Sequence, residues 1–312
     1  MTDTMTLRLV SVEHGADAIN LYRFAAPDRI PLPAFEPGAH IDVDVAPGVT
    51  RQYSLLWSPG TADRYEIAVH YPGGDTSSAR HLHRESVVGA MYQVSQPRNH
   101  FGLTDEDGEF HLFAGGIGIT PIVSMYRKLA ADGRKAQLHY WTRSPARTLF
   151  HEELAGATGV EVIHTESPGV PRLAEVVADI PASAQLYCCG PTAMIDEFER
   201  ITAGRDPECV HRERFTAKTV EETDLTGFDV TLQRAGKRLH IGPEETILGA
   251  CIEAGLDVAF SCEEGVCGAC EVSVIAGDIE HRDSVLTASE QAKNDRMMIC
   301  CSRGRGNVVI DI

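Results

Sequence analysis

No run of eighteen apolar residues occurs in this 312-residue chain, so no transmembrane helix is expected. The opening stretch, Met1–Val10, lacks the basic-then-apolar layout of a secretion signal. A cytoplasmic location is expected, and with it reduced thiols. Positive charge is scarce: 28 Lys and Arg stand against 45 Asp and Glu, a net charge of −17. No basic run offsets that balance, so neither nucleic acid nor a membrane is an expected partner. Several metal motifs are missing too. His151-Glu152-Glu153 has no second histidine to complete a metalloprotease helix, and His81-x-His83 has no third ligand. The paired Cys-x-His and Cys-x-x-His of a Rieske centre do not occur together.

What is present is a normal globular balance, 43% hydrophobic and 23% charged, in a chain long enough for two or three domains. Short alternating stretches fill the first hundred residues: Thr6–Val10, Ile19–Phe24, Ile41–Val45, Arg51–Leu55, Tyr65–His70 and Met91–Val94. One short helix is expected over His81–Glu85. Many short strands predict an antiparallel β-barrel, residues 1–105. Strands and helices then alternate. Strands are expected at Glu109–Ala114, Ala136–Thr142, Val160–His164 and Gln185–Cys189. Helices are expected at Pro121–Ala131, Leu149–Leu154, Leu173–Val177 and Thr192–Ile201. This order predicts an α/β domain with a parallel sheet, residues 106–206. Pro121 suits a helix start, where its missing N–H would be unpaired anyway. Residues 207–226 are polar and read as a linker. The last segment, 227–312, offers a hairpin (Phe228–Gln233 with Arg238–Ile241), a helix over Thr246–Ala254, and strands Glu271–Ile275 and Val308–Ile310. It reads as an α+β domain.

The cysteines carry the most specific signal. Cys262-x4-Cys267-x2-Cys270, with Cys300 after a long gap, is the plant-type 2Fe–2S spacing. Two irons each need two thiolates, and three of the four come from one tight loop. Ser261, Gly265, Gly268 and Ala269 are small enough to let that loop wrap a cluster. A zinc site would pair one C-x-x-C with another or with histidines, and only one occurs here. Cys251 and Cys209 read as a buried small hydrophobe and an inert thiol.

Two turns point to a nucleotide. Ala114-Gly115-Gly116-Ile117-Gly118-Ile119-Thr120-Pro121 runs from strand through glycines to helix, a layout that admits phosphate. It does not match G-x-G-x-x-G, so alone it is weak. Tyr187-Cys188-Cys189-Gly190-Pro191 ends a later strand, and ligands of open α/β sheets sit outside the carboxyl ends of strands. Cys189 is therefore expected to line a nicotinamide pocket, and Cys188 to pack in the core. Arg51-Gln52-Tyr53-Ser54-Leu55 reads by itself only as a polar strand.

These residues together resemble the phthalate dioxygenase reductase family, the flavin and iron–sulfur reductases of aromatic-ring oxygenase and vanillate-type O-demethylase systems. The resemblance covers nearly the whole chain. It rests on Arg51-x-Tyr53-Ser54-Leu55, Gly115–Pro121, Cys188-Cys189-Gly190-Pro191 and the cysteine spacing, in that domain order. It implies a flavin barrel, a nicotinamide domain and a C-terminal ferredoxin domain. It further implies that Arg51 binds the FMN phosphate and that Gln52, Tyr53 and Ser54 lie along the flavin, Ser54 near the reactive edge. Ala68, Val69 and His70 would offer backbone groups to the ring. Gly115, Gly116, Gly118, Thr120, Pro121, Cys189, Gly190 and Pro191 would line the nicotinamide site, and Phe215 would cover the flavin face. Ser54, Thr120, Cys189 and Phe215 are the catalytic positions so implied. The cluster ligands would be Cys262, Cys267, Cys270 and Cys300, since Cys300-Cys301-Ser302-Arg303 resembles the family's Cys-x-Ser-Arg.

One departure stands out. The family's phosphate loop resembles Gly-Arg-Gly-Gly-Ser, and here it reads Gly74-Asp75-Thr76-Ser77-Ser78. A carboxylate stands where a cation would help. Hydroxyl or backbone N–H groups of Thr76, Ser77 and Ser78 would compensate, and FAD stays an alternative to FMN. Arg143, after the second α/β strand, could meet a 2′-phosphate, whereas the resemblance implies NADH.

The expected chemistry is hydride transfer from NADH to flavin, then single electrons through the cluster to a terminal Rieske-type oxygenase, with the chain a monomer. Two alternatives stay open: a self-contained reductase of a small molecule, and a non-catalytic carrier or sensor. Glu263-Glu264 reads either as a solvated face or as a docking patch for a basic partner.

Overall fold

The computed structural model describes residues 4–28, 30–58, 63–74, 79–165, 172–217 and 226–312. The chain divides into two compact units, Asp3–Phe215 and Thr216–Ile312. No helix among the described residues is long and apolar enough to cross a membrane.

The larger unit opens with β1 (Thr4–Ala16), β2 (Ile19–Ala25), β3 (His40–Ala46), β4 (Val49–Ser54), β5 (Arg64–His70), helix α1 (Ala79–Glu85) and β6 (Met91–Ser95). The strands lie in the order β4-β3-β6-β1-β2-β5, every neighbouring pair antiparallel. Alternation puts one face inside: Leu7 and Leu9, Tyr22 and Phe24, Ile41 and Val43, Tyr65 and Ile67 are all buried. Each such side chain stabilises the fold by roughly 1.5–3 kcal/mol. The sheet closes through a Leu55–Ile67 bridge and a Leu56 N–H donated to Glu66 O at 2.8 Å. Closure stops there. Ala68–His70 has no strand partner, among the described residues, on the side away from β2.

The unit continues with β7 (Phe110–Gly115), α2 (Ile119–Ala131), β8 (Ala136–Thr142), α3 (His151–Leu154), β9 (Val160–His164), α4 (Leu173–Ala178), β10 (Gln185–Cys189), α5 (Thr192–Thr202) and β11 (Val210–Glu213). Their sheet is all parallel, in the order β11-β10-β7-β8-β9. Strand order reverses between β7 and β10, which makes that junction the switch point. Two expectations change here. Strand β11 lies inside the 207–226 stretch read as linker. An edge strand has one neighbour and needs little apolar alternation, so Val210–Glu213 reads as polar chain. Helix α2 begins at Ile119, which makes Pro121 its third residue. The missing N–H still costs nothing, because the first four N–H groups of a helix lack intrahelical acceptors.

The barrel and the α/β sheet share a core. Ala16, Ile19, Leu56, Ala68 and Phe101 from the first pack in one cluster with Leu112, Ile119, Ile122 and Tyr187 from the second. Tyr187 also accepts the Thr104 N–H on its hydroxyl at 2.9 Å.

The smaller unit holds β12 (Phe228–Leu232), β13 (Lys237–Ile241), α6 (Ile247–Glu253), β14 (Glu271–Ala276), β15 (Ile279–Glu280), α7 (Ala288–Lys293), β16 (Arg296–Met298), β17 (Arg303–Gly304) and β18 (Val308–Ile310). Its main sheet runs β13-β12-β18-β14-β16, with β12 and β18 parallel. Thr246 starts α6 by accepting the Gly249 N–H on its hydroxyl at 3.0 Å. Helix α7 was not anticipated; Thr287 and Glu290 form its capping box.

Candidate functional site

In the smaller unit no regular element lies between α6 and β14, and that loop carries three thiols. Cys267, Cys270 and Cys300 are buried and Cys262 is partly exposed. The sulfurs fall into two couples. The Cys262 sulfur accepts from the Cys267 thiol, which holds Cys262 down to about 6 and pushes Cys267 up. The Cys270 thiol is pushed up in the same way by donating to Cys300. Backbone N–H groups of Glu264 and Ala269 also reach the Cys262 and Cys267 sulfurs, at 3.4 and 3.5 Å. Among the described residues no three His, Cys, Asp or Glu converge on one ion position. Four thiols gathered by this loop and Cys300 suit a binuclear cluster, each iron taking two sulfurs. Cys301 adjoins the second couple, where its side chain also hydrogen-bonds to Cys300. Its sulfur lies 3.9 Å from Met298 O and packs on Gly265, which sits at φ +72°. A side chain at Gly265 would collide with it.

In the larger unit the two glycine turns meet at the switch point. Cys189 pairs with Ala114 across β10 and β7. A Cβ on Gly115 would fall 2.6 Å from Pro191 Cδ, and one on Gly118 would strike the Cys189 carbonyl. These glycines let two backbones touch. Gly116 differs: its φ is +53° and nothing lies near its missing Cβ, so it faces open space. The 116–118 turn packs against β5, the strand whose Ala68–His70 edge is unpaired. A planar heterocycle with hydrogen-bonding edges fits such an open strand. One acceptor there is taken, since His83 Nε2 donates to Val69 O at 2.8 Å.

Arg51, Gln52, Tyr53 and Ser54 all lie on β4, paired with β3 so that Ser54 faces His40. Ser54 is buried and Arg51 exposed. Burial pushes the Tyr53 phenol up. Thr120 is buried and donates to Ile117 O at 3.1 Å, which holds the glycine turn. Cys188 and Cys189 are both fully buried, and burial pushes both thiols up. The structure therefore puts the Cys189 thiol in the core beneath the turn, packed like Cys188. Phe215 is 40% exposed, two residues beyond β11. Its neighbour Arg214 is buried and pairs with Asp196 at 2.7 Å and Glu199 at 3.0 Å. Gly74 has φ +96°; Asp75, Thr76, Ser77 and Ser78 lie outside the described residues.

Two residues escaped the sequence reading. Ser124, fully buried on α2, accepts the Trp57 N–H at 2.9 Å. Its proton reaches Leu55 O at 3.1 Å or Thr120 O at 3.0 Å. It thus ties α2 to the residues just after Ser54. Glu213 pairs with Cys189 across β11 and β10, and its Oε2 is buried without a hydrogen-bond partner among the described residues. Burial pushes its carboxyl up to about 8. A serine in an apolar helix face and a glutamate in a polar strand give no signal in one sequence.

Residues 230–304 match the 2Fe–2S iron–sulfur cluster binding domain family. The phenoxybenzoate dioxygenase subunit beta of Ectopseudomonas oleovorans is 41% identical over 96% of this chain and 94% of its own length. The crystal structure of phthalate dioxygenase reductase superposes with a TM-score of 0.71 at 34% identity, over 99% of this chain and 98% of that one. An intact type IV self-sufficient cytochrome P450 monooxygenase gives a TM-score of 0.91 at 36% identity, over 99% of this chain. This chain spans only 41% of that larger one.

Proposed function

The chain belongs to the phthalate dioxygenase reductase family, and on that premise we propose that it is the reductase component of a two-component oxygenase or demethylase. When bound, a flavin accepts the hydride of a reduced pyridine nucleotide and a 2Fe–2S cluster passes its two electrons singly to a terminal oxygenase. The observation that carries this reading is the Cys262-x4-Cys267-x2-Cys270 loop with Cys300, inside a segment that matches the 2Fe–2S cluster binding domain family. A cluster held there would pass one electron at a time, and it shares a chain with a nucleotide-type switch point.

The residues divide the work. Cys262, Cys267, Cys270 and Cys300 hold the cluster, and loop N–H groups stabilise the sulfurs. Arg51, Tyr53 and Ser54 hold the flavin beside the open Ala68–His70 edge. FMN is the flavin this reading assigns, with Gly74, Thr76, Ser77 and Ser78 at its phosphate. Gly115, Gly116, Gly118, Thr120, Pro121, Gly190 and Pro191 shape the nicotinamide crevice through backbone, with Cys189 supporting it from below. Phe215 screens the flavin face until nicotinamide arrives. NADH is the donor. The chain acts as a monomer in the cytoplasm.

An anaerobic NADH titration of the purified protein tests this. Bleaching of flavin and cluster bands together, with about three electrons taken up per chain, supports the relay. Flavin bleaching with persistent cluster bands would disconnect the smaller unit from the path. Absence of a flavin band would overturn the reading of the barrel.

A further inference from the structure

Strand β8 is the second strand of the α/β sheet counted outward from the switch point. In such sheets the residue after that strand reads the adenosine ribose: a carboxylate there binds the 2′-hydroxyl of NAD, and an arginine accommodates a 2′-phosphate. The stretch after β8 is Arg143-Ser144-Pro145-Ala146-Arg147-Thr148, and no Asp or Glu occurs from Trp141 to Phe150.

This segment is built as a fixed turn. Thr142 Oγ1 meets Thr148 Oγ1 at 2.8 Å and His164 Nδ1 at 2.9 Å. Thr148 Oγ1 donates to Ser144 O at 2.9 Å, and Arg147 N–H donates to the same carbonyl at 3.0 Å. The threonines are buried, whereas Arg143 and Arg147 are exposed. Neither guanidinium has an ion-pair or hydrogen-bond partner among the described residues, although the chain carries a large acidic excess. The turn is also seated. Asp17 N–H donates to Ala146 O at 2.8 Å, and nearby Ile19 pairs with His70 at the end of β5. Burial pushes His70 down, and the charges of Arg147, His83 and Arg143 push the same way, which places both arginines near that end of β5. Two unpaired cations therefore sit on a rigid turn at the carboxyl end of the sheet.

We propose that Arg143 and Arg147 form a seat for the 2′-phosphate of a pyridine nucleotide, so that the chain takes NADPH as well as NADH. The seat rests on the reductase reading above. Guanidinium is the better cation for the task, because its donors match phosphate oxygens in pairs. The pyrophosphate is a separate matter, since it belongs at the glycine turn and the start of α2.

Calorimetric binding of oxidised NADP+ and NAD+ to the oxidised holoprotein tests the seat without turnover. NADP+ should bind at least as tightly as NAD+ at low salt, and its advantage should shrink as salt rises. Arg147→Gln and Arg143→Gln should each weaken NADP+ by about tenfold relative to NAD+ in the same variant. The ratio of KM values for NADPH and NADH should move the same way. NADP+ binding more than about tenfold weaker than NAD+ to the unaltered protein would overturn the seat. So would an unchanged ratio in the double variant. Failure of both nucleotides to bind would overturn the reductase reading itself, whereas NAD+ binding without NADP+ removes the seat alone.

Discussion

Ser124→Ala removes one hydroxyl from the joint between the barrel and the α/β sheet. The serine is fully buried, accepts the Trp57 N–H and offers its proton to Leu55 O or Thr120 O. Thr120 O is a helix carbonyl and loses little. The Trp57 N–H and the Leu55 carbonyl lose a partner each, and Leu55 is buried. An unpaired buried group costs about 1–3 kcal/mol. Trp57 is only half-buried, so water relieves part of its loss. The sum comes to about 2–3 kcal/mol. For a unit of this size each kcal/mol lowers Tm by about 2–4 °C, so the fall should be about 4–12 °C. The functional effect should be selective. Leu55 follows Ser54, which the proposed reading puts at the flavin, and Thr120 holds the glycine turn, which that reading puts at the nicotinamide. Loosening their tie should slow hydride transfer in stopped-flow reduction by more than it weakens NADH binding. The charge-transfer absorbance formed on mixing should fall as well. A Tm within about 2 °C of the unaltered protein, with normal flavin reduction, would refute the joint.

Cys300→Ser should lose the cluster bands while Cys301→Ser keeps them, because only Cys300 is coupled to Cys270; visible absorbance of the purified variants decides, and the reverse pattern refutes the pairing. Glu213 has a folded value near 8, above the ordinary carboxylate range, so between those values the folded chain holds a proton that the unfolded chain has lost. Its contribution is complete below the unfolded value and is lost as pH rises through about 8, at up to roughly 1.4 kcal/mol per pH unit. Glu213→Gln should therefore flatten the decline in stability between pH 5 and 8, in urea melts at about unit steps; an unchanged slope would sink the assignment. Gly118→Ala should destabilise by about 1–3 kcal/mol, because its Cβ meets the Cys189 carbonyl. Gly116→Ala, in open space, should cost only the left-handed strain of about 1–2 kcal/mol, and should weaken nucleotide binding more than stability. A reversed order in denaturant midpoints and nucleotide affinities would show that the two glycines had been assigned the wrong roles.

What the sequence made legible is what repeats or punctuates. Alternation along Leu7–Leu9 and Tyr22–Phe24 exposed the barrel strands, and βα alternation exposed the parallel sheet. The cysteine spacing was readable because a binuclear cluster demands several thiolates from one loop. Short polar edges were not readable. Strand β11 has one sheet neighbour and so needs no apolar face, and β15, β16 and β17 are only two or three residues long. Helix α7 escaped because its signal is the local Thr287–Glu290 box without an apolar stripe.

The candidate site shows the same division at finer scale. Residues that act through side-chain type, such as the four cysteines, announce themselves in one sequence. Residues that act through backbone placement do not. The glycine turn was too weak to identify alone, and it gains meaning only when β10 brings Gly190 and Pro191 against Gly115. Ser124 matters because a barrel loop supplies Trp57 and Leu55, more than sixty residues away in the chain. Cys189 marks the converse. Its position at the strand end suggested that it lines a nicotinamide pocket; without a nucleotide its side chain is buried, on a strand paired with Ala114 on one side and Glu213 on the other. A strand-end residue reaches the crevice only if its side chain leaves the sheet on the open face. The alternation that buries Leu112, Ala114 and Tyr187 in one cluster puts Cys189 on that same buried face. A conservative change at Cys189 should therefore act through packing before it acts through chemistry.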